Sequence, residues 1–139
     1  MKGIILLSHG PMAKGMYETT KWFLGDNIPQ YEYLCLEMDD IIEEYDAKVK
    51  ALIDKVDSGD GVILFTDLVG GTPCNRCVQF MSDRVDLFGG MNLTLVLEQL
   101  GKRFGDDYDF DTLLEVAREG IVHLKKPSIV VNEEDDFFD

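Results

Sequence analysis

Short apolar runs alternate along the chain with longer stretches in which apolar residues recur every three to four positions. The runs lie at residues 3–7, 31–38, 62–65, 85–88 and 128–131. Runs of this length, bounded by turn residues, are typical of strands that a sheet buries on both faces. The pattern therefore predicts an α/β fold: a three-layer sandwich whose doubly wound, mostly parallel sheet carries helices on both faces.

Five helices are expected between these strands. Four amphipathic stretches lie at residues 12–24, 41–56, 93–104 and 113–124, and a short helix begins at about Pro73. Asp39 and Asp40 precede the second helix and are expected to cap its N-terminus. The apolar spacing of the last stretch continues to residue 124, which predicts that His123 lies on that helix as a half-buried packing residue.

Length and charge limit the class of protein that this chain could be. Its 139 residues suit a single domain, which we assign to residues 1–132, followed by an acidic tail at residues 133–139. The chain has 13 basic and 27 acidic residues, a net charge of −14. Such a surface repels the phosphates of nucleic acids and anionic lipids, so neither is expected as a partner. It would suit a partner with a basic docking face.

The sequence also indicates a compartment. No apolar stretch approaches the roughly 20 residues needed to span a bilayer, and Met1-Lys2-Gly3 leads directly into the first strand pattern without a signal-peptide region. The three cysteines, an odd number without a secretion signal, favour a reducing environment. We therefore expect a cytoplasmic protein.

Two predicted strands end in residues with reactive side chains. The first ends in Ser8-His9-Gly10 and the third in Thr66-Asp67. In a strand order of 2-1-3-4 these strands are neighbours, and their carboxyl ends share the edge at which such sheets bind ligands. His9 and Asp67 would then meet. A carboxylate that accepts one ring N–H fixes the histidine tautomer and leaves the other nitrogen free as a base, metal ligand or nucleophile.

Glycine-containing turns follow both residues. Gly10 precedes the first helix, and Gly70-Gly71-Thr72-Pro73 precedes the third, with Thr72 as the expected cap. Unpaired backbone N–H groups at helix starts, on a backbone that glycine makes permissive, suit phosphoryl oxygens. Gly10, Gly70, Gly71 and Thr72 are therefore the candidate phosphate-binding residues.

Other interpretations of the same residues stay open at this point. Cys74 and Cys77 form a C-x-x-C pair at a helix start, as in thioredoxin-like redox proteins. Asp67, at the end of the third strand, could itself accept a phosphoryl group, as in receiver-like signalling domains. No ligand spacing such as H-x-x-x-H indicates a metal site, and no cofactor is expected.

Taken together, these motifs resemble the mannose-type enzyme IIA domain of the bacterial phosphoenolpyruvate–sugar phosphotransferase system. The residues that carry the resemblance are, in chain order, Ser8-His9-Gly10, Ala13, Gly15, Asp67, Gly70-Gly71-Thr72-Pro73, Asn75, Gly90-Met91-Asn92-Leu93 and Arg118-Glu119-Gly120. They cover nearly the whole chain. The sequence departs from the family pattern at Leu68-Val69, Cys74 and Thr94, which bears on partner choice more than on the histidine–aspartate pair.

The resemblance implies a phosphotransferase that acts as a phosphocarrier. His9 would be phosphorylated transiently on a ring nitrogen, taking the phosphoryl group from the carrier protein HPr and passing it to an enzyme IIB for sugar uptake through membrane permease components. Asp67 would orient His9. Family members are homodimers in which a C-terminal antiparallel strand, here residues 128–131, can cross to the partner's sheet. The same domain also serves as phosphoryl donor to dihydroxyacetone kinase, which stays an alternative function.

Overall fold

A computed structural model describes residues 1–127 of the chain. Three predictions fall outside the described residues: the final antiparallel strand at residues 128–131 with its exchange in a homodimer, the domain boundary at residue 132, and the acidic tail at residues 133–139.

Strands and helices alternate along these residues. The strands are β1 (Gly3–His9), β2 (Tyr31–Leu36), β3 (Val62–Thr66) and β4 (Val85–Phe88). The helices are α1 (Met12–Leu24), α2 (Ile42–Val56), α3 (Thr72–Cys77), α4 (Leu93–Lys102) and α5 (Phe110–Glu119), with 3₁₀ turns at Val78–Phe80 and Arg103–Gly105. The alternation confirms the predicted α/β fold.

The four strands form one parallel sheet in the order β2-β1-β3-β4, as predicted. β1 lies between β2 and β3, so Leu7 pairs with Thr66 of β3 and His9 pairs with Leu36 of β2. Asp67 follows directly after Thr66. The carboxyl ends of β1 and β3 therefore lie side by side, which places His9 and Asp67 at the same edge of the sheet.

Helices cover both faces of this sheet. Ile4 and Leu6 of β1 pack with α1, α4 and α5, whereas Ile5 and Leu7 pack with α2 and the last residue of α3. All four side chains are fully buried, and burying one aliphatic side chain contributes about 1.5–3 kcal/mol. Because side chains alternate along a strand, His9 points towards the face that α2 and α3 cover.

The last helix ends earlier than its apolar spacing predicts. α5 ends at Glu119, and the N–H of the following Gly120 donates to the carbonyl of Ala117 at 3.2 Å. A Cβ on Gly120 would lie 2.4 Å from Oγ1 of Thr94, so the close contact with α4 requires glycine here. His123 lies beyond the helix and is exposed. The prediction of a half-buried, helical His123 is therefore wrong.

The start of α2 also differs from the prediction. The N-cap residue is Ile41, and no side chain caps the helix. Asp40 instead accepts the backbone N–H of Glu37 with Oδ2 at 2.8 Å, which closes a turn after β2. The expected aspartate cap is wrong because the N-cap position falls on Ile41, after both aspartates, and Asp40 binds a donor of its own turn instead.

A buried arginine holds the amino edge of the sheet. Arg103 is 1% exposed. Its Nη1 donates to the carbonyls of Lys2 and Gln30, each at 3.0 Å, and its Nη2 donates to the carbonyl of Pro29. Burial lowers the pKa of Arg103 to about 10, which leaves the guanidinium charged at neutral pH. One side chain thus ties the start of β1 to the segment that enters β2.

Candidate functional site

His9 and Asp67 form a hydrogen-bonded pair at the carboxyl edge. Oδ2 of Asp67 accepts two hydrogen bonds from His9, one from Nδ1 at 2.9 Å and one from the backbone N–H at 3.0 Å. Because a carboxylate only accepts, Nδ1 carries the proton and Nε2 presents a lone pair. The His9 side chain is 46% exposed and that of Asp67 is 11% exposed. The imidazole is therefore accessible, whereas its carboxylate partner is largely covered.

The local contacts favour the charged form of Asp67. Its burial alone would raise the pKa, but the hydrogen bonds from the His9 ring and backbone outweigh burial, so the pKa lies below the usual value of 3.8. Both of these bonds go to Oδ2. Oδ1 is buried and has no hydrogen-bond partner among residues 1–127. The anion beside Nδ1 stabilises positive charge that develops on the ring.

Ser8 builds the turn that follows His9. Its buried hydroxyl accepts the N–H of Ala13 at 2.7 Å and donates to the carbonyl of Gly10 at 3.0 Å. Gly10 has a φ of +54°, a conformation that favours glycine. The sequence prediction gave Ser8 no role of its own. The sequence did contain a signal for this role, because a serine shortly before a glycine turn and a helix start is placed where hydroxyls bind helix N–H groups.

The turn after Asp67 packs against the imidazole. A Cβ on Gly71 would lie 2.6 Å from Cε1 and 3.3 Å from Nε2 of His9. The φ of Gly71 is −79°, which any residue adopts, so contact with the ring is what requires glycine. Gly70 is the opposite case, since its φ is +84° and nothing lies within 4 Å of an added Cβ. The two adjacent glycines are needed for different reasons.

The predicted phosphate-binding residues lie beside His9 and differ in their free donors. The N–H groups of Gly10 and Gly71 already donate to the carbonyls of Leu36 and Leu68. The N–H groups of Gly70 and Thr72 have no acceptor in the described part of the chain. Gly71 is the N-cap of α3 and Thr72 is its first residue. The prediction that Thr72 caps this helix is therefore wrong by one position. Among the four predicted residues, the free N–H donors therefore belong to Gly70 and Thr72.

A cavity of about 280 Å³ opens beside the imidazole. His9, Gly10, Leu36, Glu37, Met38, Asp40, Ile42 and Thr72 line it. Large apolar side chains at the same edge are exposed, namely Met12, Met38, Ile41, Leu68 and Val69. Exposed apolar groups that surround a polar centre are typical of surfaces that bind other proteins.

The cysteine pair lacks the features of a redox site. Cys77 is fully buried, and burial raises the pKa of its thiol to about 12. Cys74 is 9% exposed. Reactive cysteines are accessible and form thiolates readily, whereas Cys77 packs with Leu7 and Tyr45 as a small apolar residue.

Residues 1–127 offer neither a cluster of metal ligands nor a membrane-spanning helix. No group of three or more His, Cys, Asp or Glu side chains in that range is arranged to hold a metal ion. No helix formed by those residues is long and apolar enough to cross a membrane.

Comparison with known proteins identifies the family. Residues 3–117 match the family model EIIA-man, described as the PTS system fructose IIA component, where PTS is the phosphotransferase system. The chain belongs to this family. The resemblance that the motifs indicated is confirmed, and the matched range of this enzyme IIA includes both His9 and Asp67. As a mannose-type enzyme IIA it is a phosphotransfer component of a sugar phosphotransferase system.

Curated relatives agree with this assignment. The PTS system mannose-specific EIIAB component of Escherichia coli (strain K12) is 30% identical to the enzyme IIA in an alignment of 131 residues that covers 88% of this chain. The component of the same name from Shigella flexneri gives the same identity and coverage. The alignment covers 39% of each of these relatives. This chain therefore spans well under half the length of the relatives that it matches.

Solved structures share the fold. The PTS IIA protein associated with the fucose utilization operon from Streptococcus pneumoniae is 28% identical, with a TM-score of 0.81 over 88% of this chain and 92% of that chain. The mannose/sorbose specific IIA subunit from Enterococcus faecalis is 23% identical, with a TM-score of 0.78 over 94% and 100% of the two chains. Both support the observed α/β architecture.

Proposed function

We propose that this enzyme IIA is the phosphohistidine carrier of a sugar phosphotransferase system and that His9 is the residue phosphorylated. The observation that carries the proposal is the 2.9 Å hydrogen bond from Nδ1 of His9 to Asp67. This bond fixes the proton on Nδ1 and leaves Nε2 as a nucleophile on a ring that is 46% exposed.

In the proposed first step, the lone pair of Nε2 attacks the phosphorus of a phosphohistidine on HPr. The Nε2–P bond forms as the P–N bond to the donor ring breaks, and the donor imidazole leaves with the bonding electrons. Nδ1 keeps its proton throughout, so Oδ2 of Asp67 faces the positive charge that grows on the His9 ring. Transfer to an enzyme IIB repeats the displacement with His9 as the leaving group.

The turn between Asp67 and α3 is the proposed site for the phosphoryl oxygens. The unpaired N–H groups of Gly70 and Thr72 support this role, together with the position of Thr72 beside His9 in the lining of the cavity. Gly71 contributes space rather than a donor, since it allows the turn to approach the imidazole. Gly10 contributes the turn that starts α1, because its N–H is paired.

HPr and an enzyme IIB are the proposed partners. Both would dock at this carboxyl edge in turn, because both exchange the phosphoryl group with the same residue, His9. The exposed apolar side chains around His9 support a protein partner, and the net charge of −14 supports one with a basic face. We place this exchange in the cytoplasm, with the carrier as a homodimer. Membrane permease components, rather than this chain, would then select the sugar.

Two alternative functions fit the geometry less well. A receiver-like role for Asp67 needs an accessible carboxylate oxygen, but Oδ2 is bound by His9 and Oδ1 is buried. A redox role for Cys74 and Cys77 needs an accessible thiolate, but Cys77 is buried. Phosphoryl donation to dihydroxyacetone kinase uses the same phosphohistidine and differs only in its acceptor.

The test is incubation with labelled phosphoenolpyruvate, enzyme I and HPr. The wild type and His123→Ala are expected to take up label, whereas His9→Ala is expected to take up none. His123 is the matched control because it is the other histidine of the chain and lies exposed beyond α5. Label retained by His9→Ala would overturn the proposal.

The chemistry of the bound label separates the alternatives. Phosphohistidine is stable in base and lost in acid, whereas cleavage by hydroxylamine would indicate an acyl phosphate on Asp67. Labelled protein is then offered an enzyme IIB and a dihydroxyacetone kinase in parallel. We expect discharge to the enzyme IIB, and discharge to the kinase alone would favour the kinase alternative. The double variant Cys74→Ser, Cys77→Ser is expected to take up the phosphoryl label as the wild type does.

A further inference from the structure

Two buried polar atoms close to the site have no hydrogen-bond partner in the described residues: the hydroxyl of Tyr45 on α2 and Oδ1 of Asp67. Tyr45 is 1% exposed, so its hydroxyl cannot rely on bulk solvent. Leaving a buried donor or acceptor unsatisfied destabilises a folded protein. The two atoms are chemically complementary, because a phenol hydroxyl donates and a carboxylate oxygen only accepts.

Tyr45 and the His9 ring that Asp67 binds lie on the same face of the sheet. Tyr45 packs with Leu7 and Cys77 in the core beneath α2 and α3, and His9 follows Leu7 by two residues on that strand face. Burial is the main reason that the pKa of Tyr45 is raised, and Cys77 and then Asp67 raise it further by their charge. That electrostatic effect is consistent with an Asp67 carboxylate close to the hydroxyl.

The other titratable groups whose charge acts on Tyr45 are weaker candidates as acceptors. They are the thiols of Cys35 and Cys77 and the carboxylate of Asp46. Thiols accept hydrogen bonds poorly. Asp46 is already bound by Arg76 of α3, whose Nε lies 3.1 Å from Oδ1 and whose Nη2 contacts Oδ2. Among these titratable groups, Asp67 is the one with a buried oxygen that lacks a partner.

We propose that Tyr45 is a positioning residue for the His9–Asp67 pair, its hydroxyl donating to Oδ1 of Asp67 through one bridging water. The carboxylate would then be held at both oxygens, by His9 at Oδ2 and by Tyr45 at Oδ1. A carboxylate held in this way cannot rotate about its side-chain bond, so the ring of His9 keeps one orientation and one tautomer. The effect on rate rests on the proposed phosphotransfer, whereas the hydrogen bond does not.

Tyr45→Phe tests the proposal because it removes the hydroxyl and keeps the ring. Losing a donor to the charged carboxylate raises the pKa of Asp67, so the midpoint of its ¹³Cγ titration should rise by roughly 0.5–1 pH unit. The ¹⁵N shifts of the neutral His9 ring should change from one tautomer to a mixture. Phosphorylation by HPr should slow about three- to tenfold.

Tyr31→Phe is the matched control. The Tyr31 hydroxyl is also buried, but it lies 3.0 Å from Oγ1 of Thr20 and packs in the core on the other face of the sheet. Its loss should leave the titration of Asp67 and the tautomer of His9 unchanged. If Tyr45→Phe gives the same titration, tautomer and rate as Tyr31→Phe, the proposal is overturned.

A second test does not need the Tyr45→Phe variant and therefore applies even if that variant fails to fold. The hydroxyl proton of Tyr45, observed by NMR in tyrosine-labelled protein, should exchange slowly with solvent and should lose that protection in Asp67→Ala. Equal protection in the two proteins would contradict the proposal. Should the wild type take no phosphoryl group from HPr, the proposed function fails, while titration and exchange still decide the hydrogen bond.

Discussion

The two edges of the sheet use their polar groups in opposite ways. At the amino edge, Arg103 is buried and binds three backbone carbonyls. At the carboxyl edge, His9 is 46% exposed and binds Asp67 through one ring nitrogen only. Nε2 of His9 and the N–H groups of Gly70 and Thr72 have no partner among residues 1–127. Arg103 uses both of its Nη atoms within the fold, although its buried Nε has no partner among residues 1–127. The carboxyl edge instead keeps exposed capacity for a ligand.

The difference follows from strand direction. In a parallel sheet the helices that follow the strands begin at the carboxyl edge, so unpaired N–H groups and strand-end side chains collect there. The amino edge collects the segments that enter the strands, and their carbonyls suit a cation. Polar groups whose hydrogen bonds are made within the fold add stability, whereas polar groups with unused donors or acceptors can bind a ligand. Stability and function should therefore respond to substitutions at different edges.

The largest expected effect on stability comes from Arg103→Met. The substitution removes the donor from three carbonyls, and we expect the free energy of unfolding in urea to fall by about 3 kcal/mol. Lys102→Met is the control, because that neighbour makes two long ion pairs, at 3.7 Å to Glu98 and 3.9 Å to Asp107, and should cost less than about 1 kcal/mol. Folded Arg103→Met should accept phosphoryl groups at the normal rate, and a slowed rate would contradict the separation of the two edges.

The next effect separates two adjacent glycines at the carboxyl edge. In Gly71→Ala the new methyl meets Cε1 of His9, and displacing a reacting group by about 1 Å costs on the order of 100-fold in rate. Gly70→Ala meets no atom but strains a residue at φ +84°, which should lower stability by about 1 kcal/mol or more. Transfer rates and urea unfolding of both variants provide the measurement. Equal rates would show that the contact with the ring is unimportant.

These residues also show how much of the molecule the sequence could predict. Hydrophobic periodicity was sufficient for the α/β fold. The sheet order was expected because it is common among such sheets, and the meeting of His9 with Asp67 was inferred from that order. The contact of Gly71 with the imidazole was beyond prediction, because it depends on a side-chain rotamer rather than on a backbone pattern. Arg103 follows a lysine at the end of an amphipathic helix, a position where charged side chains are ordinarily solvated. Its burial was therefore not predictable from the sequence pattern.

The end of α5 and the hydroxyl of Tyr45 show the same limit. The apolar spacing continued past Gly120, and only its packing against Thr94 explains a glycine at that point. Tyr45 fitted the buried face of a helix, so its pattern predicted burial and said nothing about the hydroxyl. Periodicity reports which face is buried, but it does not report which polar atoms are left without partners.

Asp67→Asn is expected to have a smaller effect than Gly71→Ala. Asparagine keeps the shape and one acceptor oxygen but loses the charge that stabilises the His9 ring, so phosphorylation by HPr should slow about tenfold. Circular dichroism and urea unfolding should report an intact fold. An unchanged rate would remove Asp67 from the mechanism, and the carboxyl edge would then depend on His9 and its glycine turn alone.

The smallest expected effect is the acid sensitivity of the carboxyl edge. The pKa of Asp67 is lower in the folded protein than its usual value of 3.8, so the stability it contributes is present above that value and is lost as pH falls through the folded pKa. The difference in unfolding free energy between the wild type and Asp67→Asn, measured in urea at a series of pH values, should therefore shrink in acid.

Two variants serve as controls for this acid effect. Arg103, with a pKa of about 10, does not titrate in this range, so the difference in unfolding free energy between the wild type and Arg103→Met should stay level. His9→Ala removes the ring hydrogen bond and keeps the backbone one, which should weaken the acid effect without abolishing it. Parallel pH profiles for Asp67→Asn and Arg103→Met would mean that the two edges do not differ in this respect.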